Sequence, residues 1–253
     1  MGPFQLSLDS IHDRIYQSSH YPIPFEFDQR VAKVFDDMAN RSIPLYAEVM
    51  QNTVDWVQRV CTPYARVYDL GCSTGTLIRA LVDHIPTPLE LIGVDNSEPM
   101  LQQAQKKLSG ISNIELIQSD LQQTPLEPCQ AVIMNYTLQF VKESDRAELI
   151  QKIYKALKPG GLFIYSEKTC HPVPQVHEKM TEIYHQFKQS RGYSKTEIEK
   201  KKEALENVLV PWTKQQHFQN LYQAGFKESL CDTAIQWNQF TTFVAIKEHE
   251  ELH

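Results

Sequence analysis

The sequence has no C-x-x-C pair, no long apolar run and no surplus of basic charge. Cys61, Cys72, Cys129, Cys170 and Cys231 form an odd, scattered set. That pattern argues against a metal site or a disulfide framework and favours a reducing, cytoplasmic setting. No apolar stretch approaches the ~20 residues of a membrane-spanning helix, and the N-terminus lacks the basic stretch and apolar core of a secretory signal. Lys plus Arg number 25 against 31 Asp plus Glu, a net charge of −6. Such a balance disfavours broad adhesion to nucleic acid or an anionic membrane, and fits a small-molecule substrate better.

What is present is a glycine-rich bend. Val67, Tyr68 and Leu70 suggest a short apolar strand that runs through Asp69-Leu70-Gly71-Cys72-Ser73-Thr74-Gly75 into a helical pattern. The spacing is Gly71-x-x-x-Gly75 rather than G-x-G-x-x-G, so the dinucleotide fingerprint that cradles a pyrophosphate fails. The bend resembles motif I of the Rossmann-like class I methyltransferases, whose ligand S-adenosylmethionine has no phosphates. A strand-to-helix turn with glycines for geometry alone is the competing reading.

Short apolar runs then alternate with helical patterns, as in βαβ units that build a parallel sheet. Strands are expected at 66–70, 91–95, 114–118, 131–135 and 162–167. Helices are expected at 75–84, 97–108 and 144–157, the second starting at Ser97 with Pro99 in its first turn and the third at an Asp145-x-x-Glu148 capping box. Lys158-Pro159-Gly160-Gly161 should end that third helix. A last helix at 213–225, opened by Thr213-x-x-Gln216 and stopped by Gly225, and a hairpin of strands at 228–237 and 240–247 complete a seven-stranded, mostly parallel α/β domain.

Two segments exceed that core. Phe27, Val31, Val34, Phe35 and Met38 recur at helical spacing, so residues 29–41 can lay an apolar face on the sheet domain as a lid. More than forty residues follow the fifth strand, with a capping box at Ser194-x-x-Glu197, and read as inserted helices at 174–190 and 194–208. The chain is expected to be one domain: an N-terminal helical lid (1–60), a cofactor-binding core (61–167), a helical insertion (168–212) and a closing helix with strands (213–253).

A class I site needs an acid at the end of the second strand for the ribose hydroxyls, and Asp95 stands there, followed by Asn96. Asp95 can equally be a helix cap. Asp120 ends the third strand where such folds bind the adenine amino group, or it caps a loop. Asn135 ends the fourth strand beside the expected sulfonium, as a polar contact or a structural residue. The Asn-Pro-Pro-Tyr pattern of many amino-group methyltransferases is absent, since the chain reads Asn135-Tyr136-Thr137-Leu138-Gln139-Phe140. His185 reads as a helix-surface or packed residue, and Lys200-Lys201-Lys202 as a solvated face.

Several stretches together resemble the carboxy-S-adenosylmethionine synthases. They are Phe27 to Phe35, Arg41-Ser42-Ile43-Pro44-Leu45-Tyr46, Val67 to Ser73, Asp95-Asn96-Ser97, Asn135 to Phe140, Lys152-Ile153-Tyr154, Ser166-Glu167-Lys168, Gly192-Tyr193-Ser194 and Leu205-Glu206-Asn207-Val208. The resemblance spans most of the chain. It implies conversion of S-adenosylmethionine and prephenate to carboxy-S-adenosylmethionine and phenylpyruvate, in service of tRNA wobble-uridine modification. It also implies cofactor contacts at Tyr46, Gly71, Cys72, Ser73, Asp95, Asn96, Asp120, Leu121 and Asn135. The family places an arginine on the second inserted helix to hold the new carboxylate across a homodimer interface, and the matching residue here is Lys202. Lysine keeps the charge but loses the bidentate fork, which leaves room for a conventional methyltransferase acting on a small molecule. A non-catalytic cofactor-binding protein is a third reading. Arg191 is a further candidate prephenate contact.

Overall fold

The computed structural model describes residues 4–6, 11–18, 20–21 and 23–249. Residues 1–3, 7–10, 19 and 22 of the expected lid, and 250–253 at the other end, lie outside the described residues. Seven strands form one sheet: β1 (Arg66–Leu70), β2 (Glu90–Asp95), β3 (Ile114–Gln118), β4 (Cys129–Asn135), β5 (Leu157–Lys168), β6 (Cys231–Trp237) and β7 (Phe240–Ile246). Their spatial order is β3-β2-β1-β4-β5-β7-β6, parallel except where antiparallel β7 pairs with β5 and β6. Val67 lies opposite both Leu91 of β2 and Ala131 of β4. The strand order reverses at β1, and the crevice at such a switch point is where open α/β sheets bind ligands.

Both faces of the central strands are covered, which is why β4 reads as a continuous apolar run, with Ala131 to Met134 fully buried. On one face α2 (Tyr46–Val60), α3 (Thr76–His84) and α4 (Glu98–Lys107) pack Val54, Val57, Leu77, Leu81 and Ala104 against the strands. On the other, α5 (Glu143–Ala156) and α8 (Lys214–Ala224) bring Leu149, Ile153 and Leu221 onto Phe163, Tyr165 and Phe243. No helix among the described residues is long and apolar enough to cross a membrane.

The lid and the insertion form a roof over the C-terminal strand ends. Helix α1 (Gln29–Ser42) buries Val31 and Met38, as its periodicity requires, but in a cluster with Tyr16, Phe25, Met100 of α4 and Ala204, so it rests on helices rather than directly on the sheet. The insertion is α6 (Pro174–Ser190) and α7 (Lys195–Ala204). Tyr184 on α6 donates to the carbonyl of Ser42 at 3.0 Å, and Lys201 on α7 donates to the Ser42 hydroxyl at 3.1 Å. Further contacts tie α7 to the N-terminal segment, where the Lys200 ammonium takes the carbonyls of Tyr16 and Ser18.

Several local expectations need correction. Helix α5 opens at Glu143 behind Lys142 with no side-chain cap, so Asp145 lies inside the first turn and forms no capping box. Arg146 fixes that start instead, donating to the carbonyls of Val141 at 2.8 Å and Gln139 at 3.1 Å. Residues 158–161 lie inside β5, which begins at Leu157 and bulges against β4. Helix α7 stops at Ala204 rather than 208 because the Phe25 amide takes the Ala204 carbonyl at 2.8 Å, the acceptor that another helical turn would need. Residues 228–230 are a 3-10 turn ahead of β6. Helix α2 falls within the expected helical lid of residues 1–60, but it packs on the sheet rather than over the strand ends.

Candidate active site

The β1–α3 bend is shaped by glycine where no other residue fits. Gly71 has φ +80° and a Cβ there would strike the Thr137 side chain, while Gly75 has φ +74° and caps α3. The amides of Gly71 and Cys72 both donate to the Val94 carbonyl, at 2.7 and 3.0 Å, folding the bend over the end of β2. Cys72 is buried and its thiol is pushed well above the usual range, by burial and then by Asp69 and Asp95. It therefore forms part of the wall and is no nucleophile.

Asp95 takes one amide on each carboxylate oxygen, Ser73 on Oδ2 and Ser97 on Oδ1, both at 2.9 Å. Cap and ligand are thus compatible roles, because a carboxylate keeps further lone pairs free after two such bonds. Asn96 donates to Asp120 Oδ1 at 2.9 Å, which joins two of the expected residues and orients the second. Asn135 reaches only the Met50 sulfur, at 3.9 Å, and its buried Oδ1 has no hydrogen-bond partner. An orphaned buried acceptor in a residue that borders a cavity invites a donor. Tyr46, first residue of α2, is buried and follows Leu45, which adopts a left-handed conformation.

These residues line one cavity of about 780 Å³, within the usual range for a small-molecule site. Tyr46, Gly71, Cys72, Ser73, Asp95, Asn96, Asp120, Leu121, Asn135 and Lys202 all border it. Its two ends differ in charge. The strand-end half holds the carboxylates of Asp69, Asp95 and Asp120, whereas the half beneath α6 and α7 holds Lys168, Lys188, Lys201 and Lys202 with His177 and His185, together with the carboxylates of Glu199, Glu203 and Glu206. The acidic half suits S-adenosylmethionine, a sulfonium with ribose, adenine and amino groups to donate, and the unmet Asn135 Oδ1 lies in the same half. Among the described residues no group of three or more His, Cys, Asp and Glu is placed to hold a metal ion.

Sequence reasoning missed three features. The first is the lysine set: Lys201 is 8% and Lys188 6% exposed, so the 200–202 run is no single solvated face. Lys202 does remain 65% exposed, 3.8 Å from Glu199. The second is Asp36 of α1, buried, which accepts from Thr74 at 2.6 Å and Thr76 at 3.0 Å and pairs with Lys107, so the lid is pinned to the bend. The third is Glu167, buried at the end of β5, which accepts the amides of Thr137, Leu138 and Gln139 at 2.8–3.1 Å. It holds the loop that seats Gly71. His185 borders the cavity 3.9 Å from Glu199, whereas Arg191 is exposed, stacked on Phe187 and outside the lining.

Residues 67–161 match the family model described as a methyltransferase domain. Solved structures with the same fold include human N-acetylserotonin methyltransferase in complex with S-adenosylmethionine, with TM-score 0.59 and 14% identity over 87% of this chain and 55% of that one. The CurJ carbon methyltransferase superposes with TM-score 0.62 and 16% identity over 88% and 61%. Far closer in sequence is the carboxy-S-adenosyl-L-methionine synthase of Trichodesmium erythraeum, 42% identical over 246 residues and 96% of both chains. The synthase of Nautilia profundicola is 42% identical over 88% of this chain and 94% of its own. With the class I fold, its adenosyl-binding bend and this near full-length identity together, the chain belongs to the carboxy-S-adenosyl-L-methionine synthase family.

Proposed function

We propose that the protein converts S-adenosylmethionine and prephenate to carboxy-S-adenosylmethionine and phenylpyruvate, in service of tRNA wobble-uridine modification. The observation that carries this reading is the 42% identity over 96% of both chains to a protein of that name. When bound, S-adenosylmethionine supplies a methyl group whose hydrogens are acidified by the adjacent sulfonium. Prephenate loses carbon dioxide and its ring hydroxyl as it becomes phenylpyruvate; the carbon dioxide ends on the methyl carbon, and the displaced proton leaves with the hydroxyl as water.

Asp95 would accept the ribose hydroxyls, Asp120, oriented by Asn96 with Leu121 alongside, would face the adenine, and Asn135 and Tyr46 would flank the methionine part. Gly71, Cys72 and Ser73 form the floor. Within residues 1–60 the segment up to Ser42 would serve as lid while α2 packs on the sheet, with 61–167 as cofactor core, 168–212 as the substrate roof and 213–253 as the closing helix and strands. The setting proposed is the cytoplasm, where the five free cysteines stay reduced.

Lys202 is proposed to hold the transferred carboxylate, reaching from one copy of a homodimer into the other. Its side chain is 65% exposed, beside Glu199 at 3.8 Å, and Val173, Val176 and Ile183 leave apolar surface exposed along α6. Lys202 also borders its own cavity, so the contact is open to a test of which copy it serves. The lysine in place of the family's arginine is the observation that favours the rival, a conventional methyltransferase acting on a small molecule. Denaturing the purified protein and weighing the released ligand separates the two. A mass of S-adenosylmethionine plus one carbon dioxide is expected; plain S-adenosylmethionine or its demethylated product, with no phenylpyruvate formed on incubation with prephenate, sinks the reading.

A further inference from the structure

The lysines beneath the roof have no role in the assignment above. Lys168 ends β5, Lys188 lies in the last turn of α6 and Lys201 lies on α7, yet all three border the same cavity half. The ammonium groups of Lys168 and Lys188 each stand 5.0 Å from the centre of the same Tyr184 ring. Lys201 holds the Ser42 hydroxyl at 3.1 Å, with the Tyr193 ring at 5.9 Å. Among the described residues none of the three forms an ion pair. Of the carboxylates that border the cavity beside them, Glu199 is exposed and engaged with Lys202 and His185 at 3.8 and 3.9 Å, Glu203 accepts from the Tyr21 hydroxyl at 2.7 Å, and Glu206 is exposed. Asp13, near Lys201, receives the Tyr193 hydroxyl at 2.8 Å and the Ile15 amide at 3.1 Å.

Burying like charges together is unfavourable unless an anion joins them. Cation–π contacts offset part of that cost, but one ring shared by two ammonium groups cannot neutralise either. Further compensation comes from loss of a lysine proton or from an anion in the cavity that joins the charges.

We propose that Lys168, Lys188 and Lys201 of one chain form the binding site for the two carboxylates of the acid substrate, next to the cofactor half of the same cavity. This rests on the function proposed above and deepens it. The ligand class is a small dicarboxylate with an apolar ring. Tyr136, Tyr184 and Phe240 stand between the two halves, with Phe240 4.9 Å from Tyr184 and 6.2 Å from Tyr136, ring centre to ring centre. A flat apolar body can lie on those rings while its carboxylates reach the lysines. Lys202, at the mouth, is then kept for the carboxylate transferred to the cofactor.

The test substitutes Lys168→Met, Lys188→Met and Lys201→Met, which keep the aliphatic stem and remove the charge, with Lys→Arg at each position as the charge-retaining partner. Lys200→Met, outside the cavity, is the control. Prephenate binding is measured by calorimetry on protein saturated with S-adenosylhomocysteine, so no turnover is required, and S-adenosylmethionine affinity is measured separately. Each Met variant should weaken prephenate binding about tenfold or more and leave S-adenosylmethionine affinity within about twofold, with the Arg variants in between and Lys200→Met unchanged. If a Met variant fails to fold, its Arg partner and the wild type still report. Prephenate affinity unchanged in the folded Met variants, losses equal for both ligands, or a wild type that does not bind prephenate would overturn the proposal. A wild type that binds prephenate through these lysines but forms no phenylpyruvate refutes the synthase reading and leaves the site standing.

Discussion

Lys168 and Lys201 are each held down to about 8, and Lys188 well below its ordinary value, in every case first by burial. Lys202 adds to the effect on Lys168, and Lys201 and Lys168 to that on Lys188. On Lys201, Arg41 lowers and Asp13 raises. The other titratable groups that border the cavity beside them are His177, His185, Glu199, Glu203 and Glu206. The sign follows from protonation. Only the ammonium form attracts a carboxylate, so prephenate KM should stay low near pH 7 and climb as pH rises through about 8, read by steady-state kinetics. A KM flat to pH 10 would contradict it. Stability moves the other way, because an unfolded lysine, titrating near 10.5, still binds a proton that the folded one has lost. The ligand-free protein should therefore gain stability between about pH 8 and 10.5 from these groups. At the same scale the candidate cofactor residues Asp95, Asp120 and Asn135 are legible because each sits at or just past a strand end, a place marked by local pattern, whereas Tyr46, which opens α2, rests on the family resemblance. The lysines were not, since they come from β5, α6 and α7 and meet only in space. Within the 200–202 run, each step of about 100° round the helix sends one lysine to the N-terminal segment, one into the roof and one to the mouth.

At the scale of elements, capping chemistry separates what was readable from what was not. Ser194 and Thr213 make the reciprocal boxes their spacing promised, but Asp145, with the same spacing to Glu148, makes none because Arg146 starts the helix two residues earlier. Ser194→Ala should cost about 1 kcal/mol and Asp145→Ala less than about 0.5 kcal/mol, compared by urea denaturation. Equal losses would show that the expected box forms after all. Helix α2 is expected only as part of the helical lid, without bounds of its own, although Val49, Met50, Val54 and Val57 carry its apolar stripe. It starts behind a left-handed Leu45 with no side-chain cap, so the chain bears no start signal. The pin between α1 and the bend is of the same hidden kind. Asp36→Ala would strand Lys107 as a buried, unpaired charge and should cost roughly 3–5 kcal/mol, seen as a lowered denaturation midpoint. A loss within 1 kcal/mol of zero would mean the pair behaves as an exposed one.

At the scale of the whole molecule, the seven-stranded order and the roofed crevice follow from pattern, whereas the charge polarity of the cavity depends on packing between lid and insertion. Which copy Lys202 serves is a question of assembly. Asp95→Ala and Lys202→Ala, each expected to be inactive alone, should on mixing and exchange recover about a quarter of wild-type sites, by random pairing in a two-fold dimer. No recovery would place Lys202 in its own cavity. A different consequence lies in the sheet order. Strand β7 sits between β5 and β6, so β6 is made before the only strand it pairs with. During synthesis, which proceeds at about 5–20 residues per second, the outer edge of β5 stays unpaired until β7 leaves the ribosome. The sheet closes in one late step, and the interval just before it is when a nascent chain is most open to chaperones and to pairing with its neighbours.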